Sequence, residues 1–268
     1  MFPLGEIGRE EFTRDYWRAR PLFVKGGARA LGLVVDEPEY RAATAALSRT
    51  HPHLVRHTSD RFIRAQNVDL GSPRLLAFAQ GVAREMGWPM VWFDGVLADH
   101  QDSIGCHSDA SDNFILQQSG TKVWKLAPPD GLSPETRRQM LLNQPTPPPP
   151  LPEQYTEYVL EPGDLLYVPM FWLHWGVSSG PSLSVSLVAN PENGLGLLPF
   201  LFWALAEDPR WWNPLPAFAP SADDRALADG LFDRLFDAFR DDALKERVKR
   251  DWWESRWKRL APDLEPAR

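Results

Sequence analysis

VWFDGVLA (91–98), NFILQQ (113–118), KVWKLA (122–127), DLLYVP (164–169) and SLSVSLVA (182–189) decide the fold of this 268-residue chain. Each segment is short, rich in β-branched and aromatic residues, and bounded by Gly, Pro, Ser or Asp, which is the make-up of a strand between turns. Several such strands in succession, without alternating helices, predict a sandwich or barrel. Ser119-Gly120 between two of them predicts a hairpin turn. Pro162-Gly163 supplies the central pair of a type II turn ahead of another. One insertion interrupts the series: Ser133-Pro134 opens a helix to about Leu142, and TPPPPLP (146–152) follows as a stiff, extended spacer.

Upstream, Glu10 to Ala19 predicts a short amphipathic helix with Phe12, Tyr16 and Trp17 on one side, ended by Arg20-Pro21. Leu22-Phe23-Val24 then predicts a buried strand. A second helix starts near Asp36, with Pro38 in its first turn, and runs to Ser48. A third takes Ser72 as N-cap and Pro73 as its first residue, continues through LLAFAQGVAREM, and stops at Gly87. Downstream of Asn190, Leu227, Leu231, Leu235 and Phe239 recur every four residues, as do Leu244, Val248 and Trp252, the spacing of packed helices. The chain is therefore expected to be mainly β with flanking helices over 1–190, followed by a C-terminal helical region over 191–268.

Hydrophobic residues make up 43% and charged residues 24%, enough to bury a full core. The net charge of −7 argues against a general phosphate-backbone binder, which needs a basic surface to release counterions, so no nucleic-acid partner is expected. Cys106 is the single cysteine, which rules out an intramolecular disulfide and suits a reducing compartment. The opening MFPLGEIGREEF lacks the basic-then-apolar order of a secretion signal. The longest apolar run, Leu195 to Ala206, is too short to span a bilayer and is interrupted by Pro199. A cytoplasmic protein without a membrane segment is expected.

His107-Ser108-Asp109 lies just before NFILQQ. In extended backbone, residues i and i+2 project from one face, so His107 and Asp109 can aim an imidazole and a carboxylate at one point while Cys106 and Ser108 face away. Alone, this tripeptide is equally a capping aspartate beside a solvated histidine. His174 supplies the third candidate: PGDLLYVPMFWLHWGV runs from turn to strand to bend and would set it opposite the pair in a rolled sheet. Two histidines and one carboxylate on one side of an ion, with other positions open, characterise non-haem iron(II) oxygenases. His51, His53 and His57 cluster as well, and a polar loop accounts for them better than a zinc site does. His100 is placed at the rim of the centre and is not counted as a ligand.

Three stretches, HSDASDNFILQQSGTKVWKLAPP (107–129), EPGDLLYVPMFWLHWGVSSGPSLSVSLVAN (161–190) and the opening EFTRDYWRARPLFVKGGA (11–28), together resemble the JmjC-type, cupin-like hydroxylases. That resemblance implies a double-stranded β-helix (jelly-roll, cupin-like) core that uses Fe(II), 2-oxoglutarate and dioxygen (O2). It implies His107, Asp109 and His174 as the iron ligands and catalytic centre. Lys122, 15 residues after His107, would pair with the distal carboxylate of 2-oxoglutarate, and Asn113 would lie near the cosubstrate. Some relatives carry an asparagine on the strand after the distal histidine; here Ser186 stands in its place.

The activity implied is hydroxylation of a side-chain carbon, often the β-carbon, in a protein or ribosomally made precursor peptide, with succinate and CO2 as co-products. The alternatives are a hydroxylase of a free amino acid or small metabolite, a non-enzymatic cupin-like binding or scaffold protein, and a zinc hydrolase. Trp172 and Trp175 flank His174 and line either a substrate groove or the core. The C-terminal helices are expected to form a homodimer, as such segments do in related hydroxylases.

Overall fold

Alternation along the strands sorts their side chains onto two faces. In the computed structural model, which describes residues 6–59, 61–88, 90–99, 101–142, 144–190, 194–212 and 222–260, ten strands form two antiparallel sheets. In chain order they are β1 (Leu22–Val24), β2 (Val55–Ser59), β3 (Phe62–Ala65), β4 (Met90–Ala98), β5 (Asp112–Ser119), β6 (Lys122–Ala127), β7 (Thr156–Leu160), β8 (Leu165–Val168), β9 (Leu173–Ser178) and β10 (Ser182–Asn190). The larger sheet runs β1-β8-β5-β10-β4-β3-β2 and the smaller β7-β6-β9. Leu183, Val185, Leu187 and Ala189 of β10 share one face with Phe93, Leu97, Phe114, Leu116 and Tyr167, all in the main hydrophobic core. On the opposite face, Ile115, Leu166 and Val168 meet Trp124, Leu126 and Leu160 of the smaller sheet. One layer of side chains thus fills the space between the sheets, as in a sandwich.

Helices cover the outer face of the larger sheet. They are α1 (Arg9–Asp15), the single turn α2 (Gly27–Ala30), α3 (Glu37–Thr50) and α4 (Pro73–Met86), and buried Phe12, Ala28, Tyr40, Leu47, Leu75 and Ala79 join the main core. The predicted caps form: Asp36 accepts from the Glu39 N–H at 2.8 Å, Ser72 accepts from the Leu75 N–H at 3.3 Å, and Gly87 ends α4 with φ 69°. The helix from Glu10 is shorter than its pattern, because Arg18 takes φ 59° and its N–H turns to the Tyr167 hydroxyl at 2.8 Å. Tertiary pairing ends it before Ala19. In the insertion, α5 (Pro134–Leu141) is capped by Ser133 as its sequence indicates.

Two expectations are corrected. Ser119-Gly120 is not a hairpin turn, since β5 pairs with β8 and β10 while β6 pairs with β7 and β9; Gly120, at φ 63°, carries the chain from one sheet to the other. The His51–His57 stretch is not simply a loop either: His51 ends α3 and His57 lies on β2. The strand β2, together with β3, β7 and β9, escaped the sequence reading because charged or polar residues break its apolar alternation.

The chain divides into two compact units, Met1–Pro191 and Glu192–Arg268. The second contains α6 (Leu198–Ala206), α7 (Ala222–Ala238) and α8 (Asp242–Leu260), with Arg247 of α8 bound to Glu207 at 2.8 Å. Leu231, Leu235, Phe239, Leu244, Val248 and Trp252 are half-buried. Phe202, Trp203, Phe232, Phe236 and Trp253 are exposed. No helix among the described residues is long and apolar enough to cross a membrane.

Gly95 lets α3 lie against β4. A methyl group there would stand 2.5 Å from Cε2 of Tyr40, which is fully buried with its hydroxyl bound to the Ile63 carbonyl at 3.2 Å. Gly95→Ala is therefore expected to cost about 1–3 kcal/mol through overpacking, read as a lower urea midpoint at unchanged slope. An unchanged midpoint would show that α3 is free to shift.

Candidate metal centre

A two-way backbone bridge brings the distant histidines together. The His107 N–H donates to the His174 carbonyl at 3.1 Å and the His174 N–H donates to the His107 carbonyl at 2.8 Å, an isolated antiparallel pair at the start of β9. Their rings lie 4.2 Å apart between centroids. The next contact is also main chain: the Phe171 N–H donates to the Asp109 carbonyl at 2.7 Å. Buried Asp112 anchors the bend before His174, accepting from the Tyr167 hydroxyl at 2.6 Å and the Met170 N–H at 3.3 Å, with Arg18 at 3.4 Å. The N-terminal segment is thereby tied to the loop that carries a candidate ligand.

Each imidazole is oriented by a carbonyl two residues upstream. His107 Nδ1 lies 2.9 Å from the Gly105 carbonyl and His174 Nδ1 lies 2.9 Å from the Trp172 carbonyl. A carbonyl oxygen can only accept, so Nδ1 bears a proton in each ring, and in the neutral form Nε2 is left with its lone pair. One donor atom from each of His107, Asp109 and His174 falls within 4.8 Å of the others, and His174 Nε2 is 3.5 Å from Asp109 Oδ2. Asn113 steadies the carboxylate through Nδ2 to Oδ2 at 3.0 Å. Burial lowers the His107 pKa to about 4, so the ring is neutral at ordinary pH, as a ligand must be. Burial pushes the Asp109 carboxyl up, but neighbouring His174, together with Arg64, more than offsets it and keeps the group ionised. Two neutral imidazole nitrogens and one carboxylate oxygen suit a divalent first-row transition ion. No second group of this kind occurs among the described residues, and His51, His53 and His57 form none. His100 lies outside the described residues.

Lys122 enters the same interior from β6. It is 3% exposed, forms no ion pair with a described residue, and sits over the Trp124 ring with Nζ 5.0 Å from its centroid. Gly176 makes the room, since a methyl there would fall 2.7 Å from Lys122 Cε and 2.9 Å from the Trp124 ring. Trp124 Nε1 is itself buried without a hydrogen-bond partner among the described residues. Ser186 lies on the face of the larger sheet that bears Asn113, in register with Ile115 and Asp94. Trp172 and Trp175 belong to the packing: Trp175 is 9% exposed and meets Tyr155 edge-on, and Trp172 packs on the inter-sheet cluster. Cys106 and Ser108 line, together with His107, a groove walled by Met140 and the proline run 147–150.

Sequence reasoning missed Asp94 and Arg64. The Asp94 carboxyl, on β4, accepts at Oδ1 from the Asn67 N–H (2.9 Å) and the Trp92 indole (3.0 Å), and burial raises its pKa to about 6. The charge of Arg64 on β3 reaches Asp94, Asp109 and His107. The available signal was alternation, since each of these charged residues lies between core residues on its strand.

Residues 90–195 match the JmjC domain. The matched stretch carries β4 to β10 and the three residues of the triad, and the fold is of the JmjC, cupin type. The chain is similar to a probable ribosomal oxygenase of Haemophilus influenzae, 25% identical over 207 residues that make up 67% of this chain and 49% of that protein. It thus spans about half the length of that curated relative. A structure of YcfD, a ribosomal oxygenase from Escherichia coli, superposes with TM-score 0.59 at 16% identity over 91% of this chain and 69% of that one. YcfD in complex with cobalt and 2-oxoglutarate gives TM-score 0.59 at 17% identity over 91% and 70%. At these identities the superpositions speak to the fold.

Burial drives the Lys122 amine down to about 8, and Asp102 partly opposes the shift. Its ¹³Cε resonance, assigned by its absence in Lys122→Arg, is expected to titrate near pH 8 in the free protein. Asp102→Asn should move that midpoint lower still. A midpoint at the ordinary lysine value would mean a hydrated amine.

Proposed function

We propose that this chain is an Fe(II)- and 2-oxoglutarate-dependent oxygenase that hydroxylates a side-chain carbon of a residue in a protein or peptide. The observation that carries the reading is the convergence of two tautomer-fixed imidazoles and Asp109 in the interior that also holds a buried ammonium, Lys122, which forms no ion pair with a described residue. His107 and His174 would hold the ion through Nε2, and Asp109 through its carboxylate. When bound, the ferrous ion and the keto acid would activate dioxygen, the oxidant of the reaction: one oxygen atom would go into succinate as 2-oxoglutarate loses CO2, and the other into a substrate C–H bond. The protein's work is orientation and exclusion of water.

Lys122 would take the distal carboxylate of 2-oxoglutarate. A buried cation without a counter-ion is costly, and a carboxylate arriving at Nζ offsets that cost through a charge-assisted hydrogen bond. Trp124 and Gly176 shape the cleft around the amine, Asn113 keeps Asp109 turned toward the ion, and Ser186 offers a hydroxyl on the cosubstrate side. The names of the relatives, ribosomal oxygenases, favour a polypeptide substrate such as a ribosomal protein. The exposed Phe232 and Phe236 of α7 and Phe202 and Trp203 of α6 favour a homodimer formed through the C-terminal helices. A cytoplasmic setting, where ferrous iron and the thiol of Cys106 remain reduced, suits this chemistry.

Anaerobic titration of the protein with Fe(II) and 2-oxoglutarate should give a visible charge-transfer band that His174→Ala abolishes. Lys122→Met should retain metal but weaken 2-oxoglutarate binding by about a hundredfold or more, the scale set by removing one partner of a buried ion pair. Equal behaviour of wild type and His174→Ala would favour the scaffold reading. Turnover with candidate polypeptides should yield a product heavier by one oxygen atom, whereas the same product from free amino acids alone would move the substrate class. Light scattering of the full chain should give twice the monomer mass, and Phe232→Ser/Phe236→Ser should halve it.

A further inference from the structure

The antiparallel pair β2–β3 sets two arginines directly opposite each other, Arg56 against Arg64. Arg64 in turn lies in register with Val96 of β4, Val96 with Ser184 of β10, and Ser184 with Gln117 of β5. Since successive residues alternate faces, Arg64 shares its face with Asp94, Ser186 and Asn113. Asn113 marks that face as the one turned toward the centre, because its amide binds Asp109. Both guanidiniums therefore project from the metal-facing side of the larger sheet.

Neither of them forms a hydrogen bond or ion pair with any described residue. Other arginines of this unit do: Arg61 binds Asp99 at 2.9 Å, Arg74 binds Glu39 at 2.6 Å and Arg138 binds Glu135 at 2.7 Å. Asp94 is the acidic neighbour on the shared face, yet its Oδ1 is taken by the Asn67 and Trp92 N–H groups and it makes no ion pair with Arg64. Like charges directly opposite on one sheet face repel and destabilise the pairing. Protection of a sheet edge explains a charge on β2, the outermost strand, but not one on β3, which is paired on both sides. An anion that bridged the two guanidiniums would relieve the repulsion, and their planar forks suit a carboxylate.

We propose that Arg64 and Arg56 form the substrate-selecting wall of the centre and receive the carboxylate of an Asp or Glu side chain next to the residue that is modified. The inference rests on the oxygenase reading, and it makes the preferred polypeptide acidic at that point. Arg64 and Arg56 act by positioning; neither touches the reacting carbon.

The test uses the full chain held anaerobically with Fe(II) and saturating 2-oxoglutarate, and fluorescence anisotropy of labelled, C-terminally amidated peptide pools with randomised flanks. The pools carry Asp or Glu, Asn or Gln, or Lys or Arg at the centre, and a fourth neutral pool keeps its free C-terminal carboxylate. Wild type is expected to bind the acidic pool about tenfold more tightly than the neutral amidated pool, the difference between a charged and a neutral hydrogen bond. Arg56→Gln/Arg64→Gln should bring that ratio to near one, and Arg64→Glu should turn the preference toward the basic pool, with thermal melts verifying that each variant is folded. Equal binding of all pools, a preference that survives the double variant, or a basic-pool preference lost in Asp94→Asn would overturn the proposal. Selective binding of only the free-carboxylate pool would overturn the side-chain assignment in favour of a chain end. The charge-transfer band read on the same samples separates the two failures. If it is absent while the acidic preference depends on the arginines, the oxygenase reading alone fails; if it is present without that preference, the arginine wall alone fails.

Discussion

The reciprocal main-chain bridge between His107 and His174 is the contact on which the centre depends. It joins a loop before β5 to the first residues of β9, strands that lie in different sheets, and it leaves the two rings 4.2 Å apart. Everything around it is arranged to keep that approach. The Phe171–Asp109 contact extends the pairing, and the buried carboxylate of Asp112 fixes the bend from which His174 emerges. Because Asp112 also meets Arg18 and the Tyr167 hydroxyl, the packing of the N-terminal segment is coupled to the geometry of the triad. A change near residue 18 is felt at an imidazole more than 150 positions away in the chain.

Much of this was legible in the sequence, for identifiable reasons. Helix ends at Asp36, Ser72 and Gly87 were readable because caps are local chemistry: a side-chain acceptor on a neighbouring N–H, or a left-handed turn that glycine tolerates. The strands facing two cores were readable because alternation or continuous apolarity marks them. β2 and β3 were not, because they are only five and four residues long and β2 carries Arg56 and His57 side by side. The turn at Gly120 was read as a hairpin because its type is local while its partners are not. The proximity of His107, Asp109 and His174 was inferred from residue types and from resemblance; the bridge that produces it has no signature in side chains at all.

Lys122 shows how a fold makes room for an unfavourable group. Gly176, on the adjacent strand, has an ordinary backbone conformation, so its role is absence of bulk; any side chain there would meet the lysine stem or the Trp124 ring. The amine is thereby kept in a buried cleft where its charge is poorly solvated and its attraction for an anion is correspondingly large. Gly176 and Lys122 form one device written on two strands.

Both imidazoles take their protonated nitrogen from peptide carbonyls and not from an Asp, Asn or Gln. A carbonyl is present whatever residue stands at that position, so substitution at 172 can alter packing without rewriting which nitrogen points inward, whereas Gly105 is held to glycine by its φ of 85°. The chemistry at the triad is thus insulated from drift in its neighbours. Surfaces such as the β2–β3 pair are free to diverge toward new substrates while the catalytic tautomers stay as they are.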